Sequence, residues 1–286
     1  MSKFVNDIKY YLPPFIFDFG LYSYGVAKDF LNPHFRELTK KNISLKNNGS
    51  GKRAFLIATG PSIKEQDLSL LKGEDCFTVS NAFLHENIKD INPKFHFFAP
   101  YHKPLILSNF VSWLKKADKS LPKDTKIFLA VESEAMIKKY NLFKNREIFY
   151  LNFGHSFSRK NVDITKVVMA PQSIPLMVLP VLIYMGYSEI YLIGCDHTVL
   201  RDFKKDIKNF YNSKRDPRKN GADKNSWHDI ILSHEYSIGV FKQYDFYKTV
   251  LGRSKMNIKI YNLSNDSWVD SFKFKRFDTV LKKDEC

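Results

Sequence analysis

The sequence has few cysteines and no long apolar run. Its three cysteines, Cys76, Cys195 and Cys286, are far apart and odd in number, which argues against a disulfide framework and favours a reduced, cytoplasmic protein. No apolar run approaches the roughly 18 residues of a spanning helix, and the first residues lack the apolar core of a signal peptide. We therefore expect a soluble protein, or one attached peripherally to the inner face of the cytoplasmic membrane.

Several motifs that would name a function are also absent. The turn after the first predicted strand does not end in Gly-Lys-Ser/Thr, and it lacks the three spaced glycines of a dinucleotide fingerprint. No spacing of histidine and cysteine matches a standard zinc site, and no standard nucleic-acid-binding motif occurs. P-loop kinases, NAD-dependent enzymes, zinc enzymes and nucleic-acid-binding proteins are therefore disfavoured.

What the chain does have is enough apolar residues for a core and a strong positive charge. It has 286 residues, 44% of them hydrophobic, with 25 Phe and 15 Tyr, which excludes disorder of the whole chain and suffices for one sizeable α/β domain with extensions. Its 45 Lys and Arg outnumber 30 Asp and Glu, for a net charge of +15. Such a charge implies an anionic partner, but its sign does not choose among a nucleotide, a phosphorylated glycan, an acidic membrane and a nucleic acid.

Short apolar runs alternate with helical patterns from residue 54 onward. The predicted strands are 54–58, 75–80, 95–99, 126–131, 147–151, 189–193 and 257–263. The longest helical stretch, 173–185, is apolar on nearly all sides, which predicts a helix buried against the sheet. Strands separated by helices predict an α/β fold, a three-layer sandwich with a mostly parallel, Rossmann-like sheet.

Residues 1–52 differ from this alternating region. Seven aromatic residues between positions 10 and 24 are mixed with lysines, a composition that suits the headgroup zone of an anionic bilayer. The alternative is an arm that packs on the domain or on another subunit. Residues 47–52 read as a linker. We therefore predict an N-terminal arm, 1–52, and a single Rossmann-like domain, 53–286, with a basic insertion at 201–229.

The turn after the first strand is the most informative local feature. Residues 54–58 are apolar and lead into Thr59, Gly60, Pro61 and Ser62, before the amphipathic stretch 63–71. A buried strand that ends in such a turn delivers backbone N–H groups to a phosphate at a helix start. Gly60 permits close backbone approach or positive φ, and Ser62 caps the helix or donates to phosphate oxygen. The alternative is a good helix start with nothing bound.

Polar residues follow other predicted strands as well. Asn81 follows the second strand, and Gly194 and Asp196 follow the strand 189–193. Because ligands of parallel sheets lie beyond the carboxyl ends of the strands, we expect these residues to line one cleft. Asn81 would hold a phosphate or a sugar hydroxyl or, alternatively, form an Asx turn; Asp196 would accept from a ribose hydroxyl or hold a metal.

The insertion 201–229 suits a lid that orders over an anionic ligand, although charge runs are usually solvated surface. Its phosphate-facing candidates are Tyr211, Lys214, Arg215 and Arg218. Two histidines follow, His228 beside Asp229 and His234 beside Glu235, and either could remove a proton from a hydroxyl.

Four segments, in order, resemble the bacterial lipooligosaccharide sialyltransferases that use CMP-activated sialic acid. The first two are Phe-Leu-Ile-Ala-Thr-Gly-Pro-Ser-Ile at 55–63 and Val-Ser-Asn-Ala-Phe at 79–83. The third runs from Ala-Pro-Gln-Ser at 170–173 to Met-Gly-Tyr-Ser-Glu-Ile-Tyr-Leu-Ile-Gly-Cys-Asp at 185–196, and the fourth is Ile-Lys-Ile-Tyr-Asn-Leu-Ser-Asn-Asp-Ser at 258–267. The chain is similarly close to a wider set with the Gly-Pro-Ser turn, which includes flagellin-glycosylation accessory factors and 6-hydroxymethylpterin diphosphokinase-like proteins.

The resemblance implies an inverting glycosyltransferase that needs no metal cofactor. His234 or His228 would be the base, and Gln172 and Ser173 would join the lid residues around the donor sugar and phosphate. The wider set implies, as an alternative, an enzyme that uses ATP with Mg²⁺. A non-catalytic glycan-binding module is a third interpretation.

The partners would be a nucleotide-sugar donor, a glycan or glycolipid acceptor and, in some interpretations, an anionic membrane or a second copy of the chain. The implied nucleotide-binding residues are Thr59, Gly60, Pro61, Ser62, Asn81, Gly194, Asp196, Asp266 and Ser267.

Overall fold

A parallel sheet runs through the part of the chain that the computed structural model describes, residues 11–103, 105–154, 162–201, 209–212, 216, 218, 230–253 and 256–281. Within these residues nine strands pair in the order β6-β5-β4-β3-β2-β1-β7-β8-β9, all parallel. The strands are β1 (Arg53–Ile57), β2 (Asp75–Val79), β3 (Phe95–Phe97), β4 (Lys126–Ala130), β5 (Ile148–Gly154), β6 (Val167–Met169), β7 (Glu189–Ile193), β8 (Lys259–Asn262) and β9 (Lys273–Phe274).

Helices cover both faces of this sheet, as the alternating pattern predicts. Those described are α1 (Pro14–Leu31), α2 (Pro33–Lys40), α3 (Ile88–Ile91), α4 (Leu107–Ser120), α5 (Glu134–Lys139), α6 (Ile174–Tyr184), α7 (Ile230–Arg253) and α8 (Phe277–Leu281). None of them has a stretch long and apolar enough to cross a membrane.

Successive residues of β1 explain why its sequence is a continuous apolar run. Ala54 and Leu56 belong to a core cluster with α6, whereas Phe55 and Ile57 belong to a second cluster with α8. All four side chains are at most 1% exposed. Because side chains alternate between the two faces of a strand, both faces must be apolar when both are covered. The predicted α/β fold with a parallel sheet between helical layers is confirmed.

The seven predicted strands and the buried helix are also confirmed. β6 and β9 were not predicted, because three and two residues are too short to give a periodic pattern. The prediction of one helix over 63–71 is wrong. Two 3₁₀ turns, Pro61–Glu65 and Leu68–Leu71, occupy this stretch. Between them, Gln66 Nε2 donates to Leu263 O at 2.6 Å, and Asp67 accepts from the Ser69 amide at 3.0 Å.

The N-terminal segment packs on the edge of the sheet formed by β5 and β6. After α2, a 3₁₀ turn brings Asn42 into the interior, where its Nδ2 donates to Tyr150 O at 2.8 Å and to Ile164 O at 2.7 Å. The residues predicted as a linker form a tight turn on the end of α6, because the Gly49 amide donates to Met185 O at 2.8 Å. The segment up to Lys52 is therefore tied to the sheet and to α6 by buried hydrogen bonds.

The strand order creates one switch point. The chain leaves β1 toward β2 on one side, and β7 later pairs with the other side of β1. Loops that leave the carboxyl ends of β1 and β7 therefore turn in opposite directions and leave a crevice between them. Thr59 to Ser62 follow β1 and Gly194 to Thr198 follow β7, so both turns singled out from the sequence lie at this crevice.

Asn42→Ala tests the attachment of the N-terminal segment. We expect it to lower the free energy of unfolding by about 1–3 kcal/mol, because two buried carbonyls lose their donor. Urea denaturation followed by circular dichroism measures this. Asn48→Ala is the matched control, since Asn48 is exposed and its side-chain Nδ2 donates to the exposed Ser44 O. Equal effects of the two variants would contradict the assignment.

Candidate functional site

The crevice at the switch point contains a pocket of about 240 Å³. Its walls come from the turns after β1, β2 and β7, the start of α6, Asn209 from the insertion and one residue of α7. Among the described residues that line it there is no lysine or arginine. The lining residues are Ala58, Thr59, Gly60, Pro61, Val79, Ser80, Ser173, Ile174, Pro175, Gly194, Asp196, His197, Thr198, Val199, Asn209 and Tyr236.

Position 60 requires a glycine because its backbone lies very close to Gly194 and Asp196, and not because its φ is positive. Its φ is −64°, and its amide donates to Gly194 O at 2.8 Å across the crevice. A Cβ at position 60 would overlap the Asp196 carboxylate and lie 2.5 Å from Gly194 O. Gly194 has a different requirement, because its φ of +66° lies in the left-handed region.

Ser62 and Asp196 are hydrogen-bonded to each other. The Ser62 amide donates to Asp196 Oδ2 at 2.9 Å, and its hydroxyl donates to Oδ1 at 2.5 Å. Asp196 is only 4% exposed, and burial raises the pKa of its carboxyl group although the bonds from Ser62 oppose this. In this structure the carboxylate therefore occupies the donors that the sequence suggested for a phosphate.

The start of α6 offers a second group of donors to the pocket. Ser173, Ile174 and Pro175 all line it. Pro175 has no N–H and the Leu176 amide donates to Ser173 O, so the backbone donor left here without a partner inside the helix is the Ile174 amide. Ser173 Oγ is buried without a well-formed hydrogen bond among the described residues; it lies near the Tyr244 hydroxyl, whose pKa is raised chiefly by burial, and slightly opposes that rise. A ligand oxygen in the pocket would find a hydroxyl donor here.

His197 lines the same pocket, directly after Asp196. Its φ of +51° is unusual for a residue with a side chain. The imidazole Nε2 shares a 2.9 Å hydrogen bond with the hydroxyl of Tyr244, a residue of α7 that is fully buried. Burial lowers the pKa of His197 to about 4, so the ring is neutral at pH 7.

Ser80 is a second strained residue in the pocket wall, directly after β2. Its φ is +52°, and its carbonyl shares a 3.0 Å hydrogen bond with Nε2 of the buried His96. The other ring nitrogen of His96 bonds to Thr78 Oγ1 at 2.7 Å. Strained backbone persists where surrounding contacts hold it, and it is frequent at functional sites. No sequence pattern signals this backbone conformation.

Asn81 lies next to the pocket wall but is fully buried. Its Oδ1 accepts from Trp113 Nε1 at 2.5 Å, and its Nδ2 donates to Asp216 Oδ2 at 2.9 Å. Asp216 is also bound by Arg218 through Nε at 2.9 Å and Nη2 at 2.6 Å. Burial raises the pKa of the Tyr211 hydroxyl, and hydrogen bonds with Asn81 and Arg218 oppose this rise.

This cluster determines the positions of several predicted site residues. Tyr211 and Arg218, predicted to face phosphate, and Asn81, predicted to contact nucleotide, engage one another and Asp216. The Arg218 guanidinium also stacks on Trp113, 4.0 Å from the ring centroid. Lys214, Arg215 and His228 lie outside the described residues.

The remaining predicted residues surround the crevice at its rim. Ser267 Oγ donates to Cys195 O at 2.7 Å and accepts from the Val269 amide at 3.0 Å, which ties the loop after β8 to the turn after β7. Asp266 is exposed and pairs with Arg201 at 2.5 Å. Gln172 is exposed, and its amide donates to Gln243 Oε1 of α7 at 2.8 Å.

His234 lies on the first turns of α7, where it is exposed and its Nδ1 is 2.7 Å from Ile230 O. It does not belong to the pocket lining, whereas Tyr236, two residues further along, does. Positions two apart on a helix face nearly opposite directions. The described residues contain no group of three or more His, Cys, Asp or Glu side chains that could hold a metal ion.

Comparisons with known proteins give a limited picture. No family model matches the sequence, and no curated protein matches it. The structure resembles the sialyltransferase CstII from Campylobacter jejuni in complex with the substrate analogue CMP-3FNeuAc, with 18% identity, 78% of this chain and 85% of that chain covered and a TM-score of 0.40. It also resembles a structure of CST-II in complex with a trisaccharide acceptor and CMP. Here the identity is 18%, 78% of this chain and 85% of that chain are covered, and the TM-score is 0.44. With identities and scores this low, we infer nothing about activity from the likeness.

His197→Asn tests the buried imidazole through the pH dependence of stability. The pKa of about 4 in the folded protein lies below the value of about 6.5 in an unfolded chain. Below pH 6.5 the unfolded chain therefore binds a proton that the folded protein does not, and stability falls as the pH falls. Asn tolerates positive φ, so the variant should fold. Because it has no imidazole, the slope of its unfolding free energy against pH should be smaller than that of wild type between pH 6.5 and 5, by up to about 1.4 kcal/mol per pH unit.

Urea unfolding at several pH values in this window measures the slope. His102→Gln is the control, because His102 is exposed on the loop after β3 and should leave the slope unchanged. An unaltered slope in the His197 variant would show that its imidazole is not held neutral by burial.

Proposed function

We propose that this protein is an inverting glycosyltransferase of the sialyltransferase-like kind, which moves a sugar from a CMP-linked donor to a bacterial surface glycan such as lipooligosaccharide or capsule. The observation that carries the proposal is the pocket at the switch point between β1 and β7, where parallel α/β sheets bind nucleotides. The four sequence segments that resemble the CMP-dependent sialyltransferases support the choice of donor, since three of them contribute residues to the pocket lining and the fourth, through Asp266 and Ser267, to its rim.

The start of α6 is the anion-binding part of the pocket in this proposal. The Ser173 hydroxyl, which lacks a well-formed bond, and the Ile174 amide would donate to the carboxylate of the sugar or to the donor phosphate. The positive end of the helix dipole favours either anion. Asp196 would then hold the turns after β1 and β7 together through Ser62 and remain available to a ribose hydroxyl at its edge.

The transfer itself needs a base and a stabilised leaving group. A histidine, His234 or His228, would take the proton of the acceptor hydroxyl while that oxygen forms a bond to the anomeric carbon from the face opposite the nucleotide. The bond from the anomeric carbon to phosphate oxygen breaks, and CMP leaves with the electron pair. Donors at the start of α6 and cations of the insertion, Lys214 and Arg215, would stabilise the departing phosphate.

Partners and location follow from the same proposal. A surface glycan is assembled on a lipid, so the acceptor would be a glycolipid at the inner face of the cytoplasmic membrane. The excess of basic residues suits such an anionic acceptor. No metal is required when the protein supplies enough positive charge around the phosphate.

A thermal-shift screen of the purified full chain with CMP, UDP, GDP and ATP, each with and without Mg²⁺, tests this function. A ligand at about a hundred times its dissociation constant stabilises the folded state by roughly 2.7 kcal/mol. Stabilisation by CMP without metal is the expected result. Stabilisation by ATP only with Mg²⁺ would favour a diphosphokinase-like enzyme instead, and no response to any nucleotide would favour a glycan-binding module.

Ser173→Ala examines the anion-binding part of the pocket. We expect it to weaken the binding of the CMP-linked donor by about tenfold or more, because a hydrogen bond to a charged oxygen contributes about 1.5–3 kcal/mol. Titration calorimetry with donor measures the change. Ser173→Thr is the matched control, since it keeps the hydroxyl and also caps helices. Unchanged donor affinity in the alanine variant would remove Ser173 from the site.

His234→Ala tests whether His234 acts as the catalytic base without contributing to nucleotide binding. We expect it to lower the transfer rate by about 10²–10⁴-fold, the usual contribution of a general base, while donor affinity stays within about twofold of wild type. Rates with a soluble acceptor glycan and a donor titration measure the two effects. His234 is exposed, so the variant should fold; transfer at the wild-type rate would reassign the base to His228 or to another group.

A further inference from the structure

Helix α1 exposes an unusual number of large apolar side chains. Of the 18 residues in this helix, eight are large hydrophobics with more than a third of their surface exposed, and Phe15 at 73%, Phe30 at 71% and Leu31 at 74% are the most exposed of them. Contiguous apolar patches of this kind on a folded protein mark an interaction surface. The eight are Phe15, Ile16, Phe19, Tyr22, Tyr24, Val26, Phe30 and Leu31.

The helix carries apolar residues on its exposed side as well as toward the domain, where Phe17, Leu21, Gly25 and Asp29 are its less exposed residues; an ordinary surface helix has a polar outer face. At 3.6 residues per turn, Phe15, Phe19, Tyr22, Val26 and Phe30 form a single stripe. Tyr24 and Leu31 lie well outside this stripe, so apolar exposure covers more than half of the circumference.

The side of α1 that faces the domain is narrow and includes a charged residue. Gly25 is buried there, and Asp29 accepts a 2.7 Å hydrogen bond from Asn152 Nδ2 of β5. This contact anchors the carboxyl-terminal half of the helix to the sheet. The outward face is therefore presented in a defined orientation by a helix that is itself attached to the folded domain.

We infer that α1 lies in the surface of an anionic lipid bilayer, with its outward face, defined by the eight exposed residues above, embedded at the boundary between headgroups and acyl chains. Phe, Tyr, Leu and Ile are the side chains that bind this zone. A single partner helix covers a stripe only about 100° wide, whereas a bilayer can cover the whole exposed arc.

Charge favours the same occupant. Residues 1–52 contain eight Lys and Arg and four Asp and Glu, and the whole chain has a net charge of +15. Arg36, on α2 directly after α1, holds its guanidinium 5.8 Å from the centre of the Phe30 ring, so a cation borders the apolar face. Basic side chains beside an embedded apolar face add electrostatic attraction to anionic headgroups. The inference does not depend on the proposed glycosyl transfer.

Vesicle flotation of the full chain tests this inference. We expect the wild-type protein to float with vesicles of phosphatidylglycerol and phosphatidylcholine and to bind phosphatidylcholine vesicles more weakly. Phe15→Glu combined with Phe19→Glu should lower the partition coefficient by at least about tenfold, because two embedded rings are replaced by charges that anionic headgroups repel. Both side chains are exposed, so the variant should keep the fold, which circular dichroism checks.

The matched control is Ile43→Glu combined with Leu70→Glu, which adds the same charge at exposed apolar positions outside α1. It should float nearly as well as wild type. Absence of wild-type flotation, or equal losses in both double variants, would overturn the inference. A dimer in light scattering that only the Phe15 and Phe19 variant disrupts, without flotation, would instead assign the face to a second copy. Glycosyl transfer is measured with a soluble acceptor and without vesicles. The experiments can therefore contradict membrane binding by α1 without contradicting the proposed transfer, and the reverse.

Discussion

The pair of hydrogen bonds from Ser62 to Asp196 joins the two turns on which the site depends. Ser62 follows β1 and Asp196 follows β7, so the bonds of 2.9 and 2.5 Å span the switch point of the sheet. They require Gly60 to have no side chain, because a Cβ there would overlap the carboxylate. A buried carboxylate without such donors would be costly. The close approach of the two turns and the shape of the pocket therefore follow from one buried interaction.

Around this pair the pocket wall is built from groups whose hydrogen bonds and backbone conformations are set by the core. His96 holds the strained Ser80 through its carbonyl, and Tyr244 holds the imidazole of His197. Both histidines have lowered pKa values because they are buried, so the wall carries little positive charge of its own. The polar side chains of the described lining are Asp196 and neutral hydroxyl, amide and imidazole groups, among them Ser173, whose Oγ has no well-formed bond.

Much of the fold follows from apolar patterning. Seven strands and the helix α6 could be predicted because a strand covered on both faces, or a helix covered all round, has an uninterrupted apolar sequence. The stretch 63–71 has the period of a helix, yet Gln66 bonds to Leu263 O and Asp67 to Ser69, and these contacts divide it into two 3₁₀ turns. The turns after β1 and β7 could be placed in one crevice, since strand ends of a parallel sheet share an edge. The partners of their side chains could not.

The sequence by itself therefore determined the sheet, the buried helix and the polar residues at the strand ends, because these depend on local periodicity and on glycine and proline. Only the tertiary structure decided which polar groups pair. Ser62 and Asp196 are 134 residues apart, and Asn81 and Asp216 are 135 apart. Such pairs depend on strand order and on the direction of each loop, which no local pattern encodes. The aromatic residues of 10–24 already indicated a bilayer surface, but which side of α1 faces outward was decided by its packing on the sheet edge, including the bond from Asn152 to Asp29.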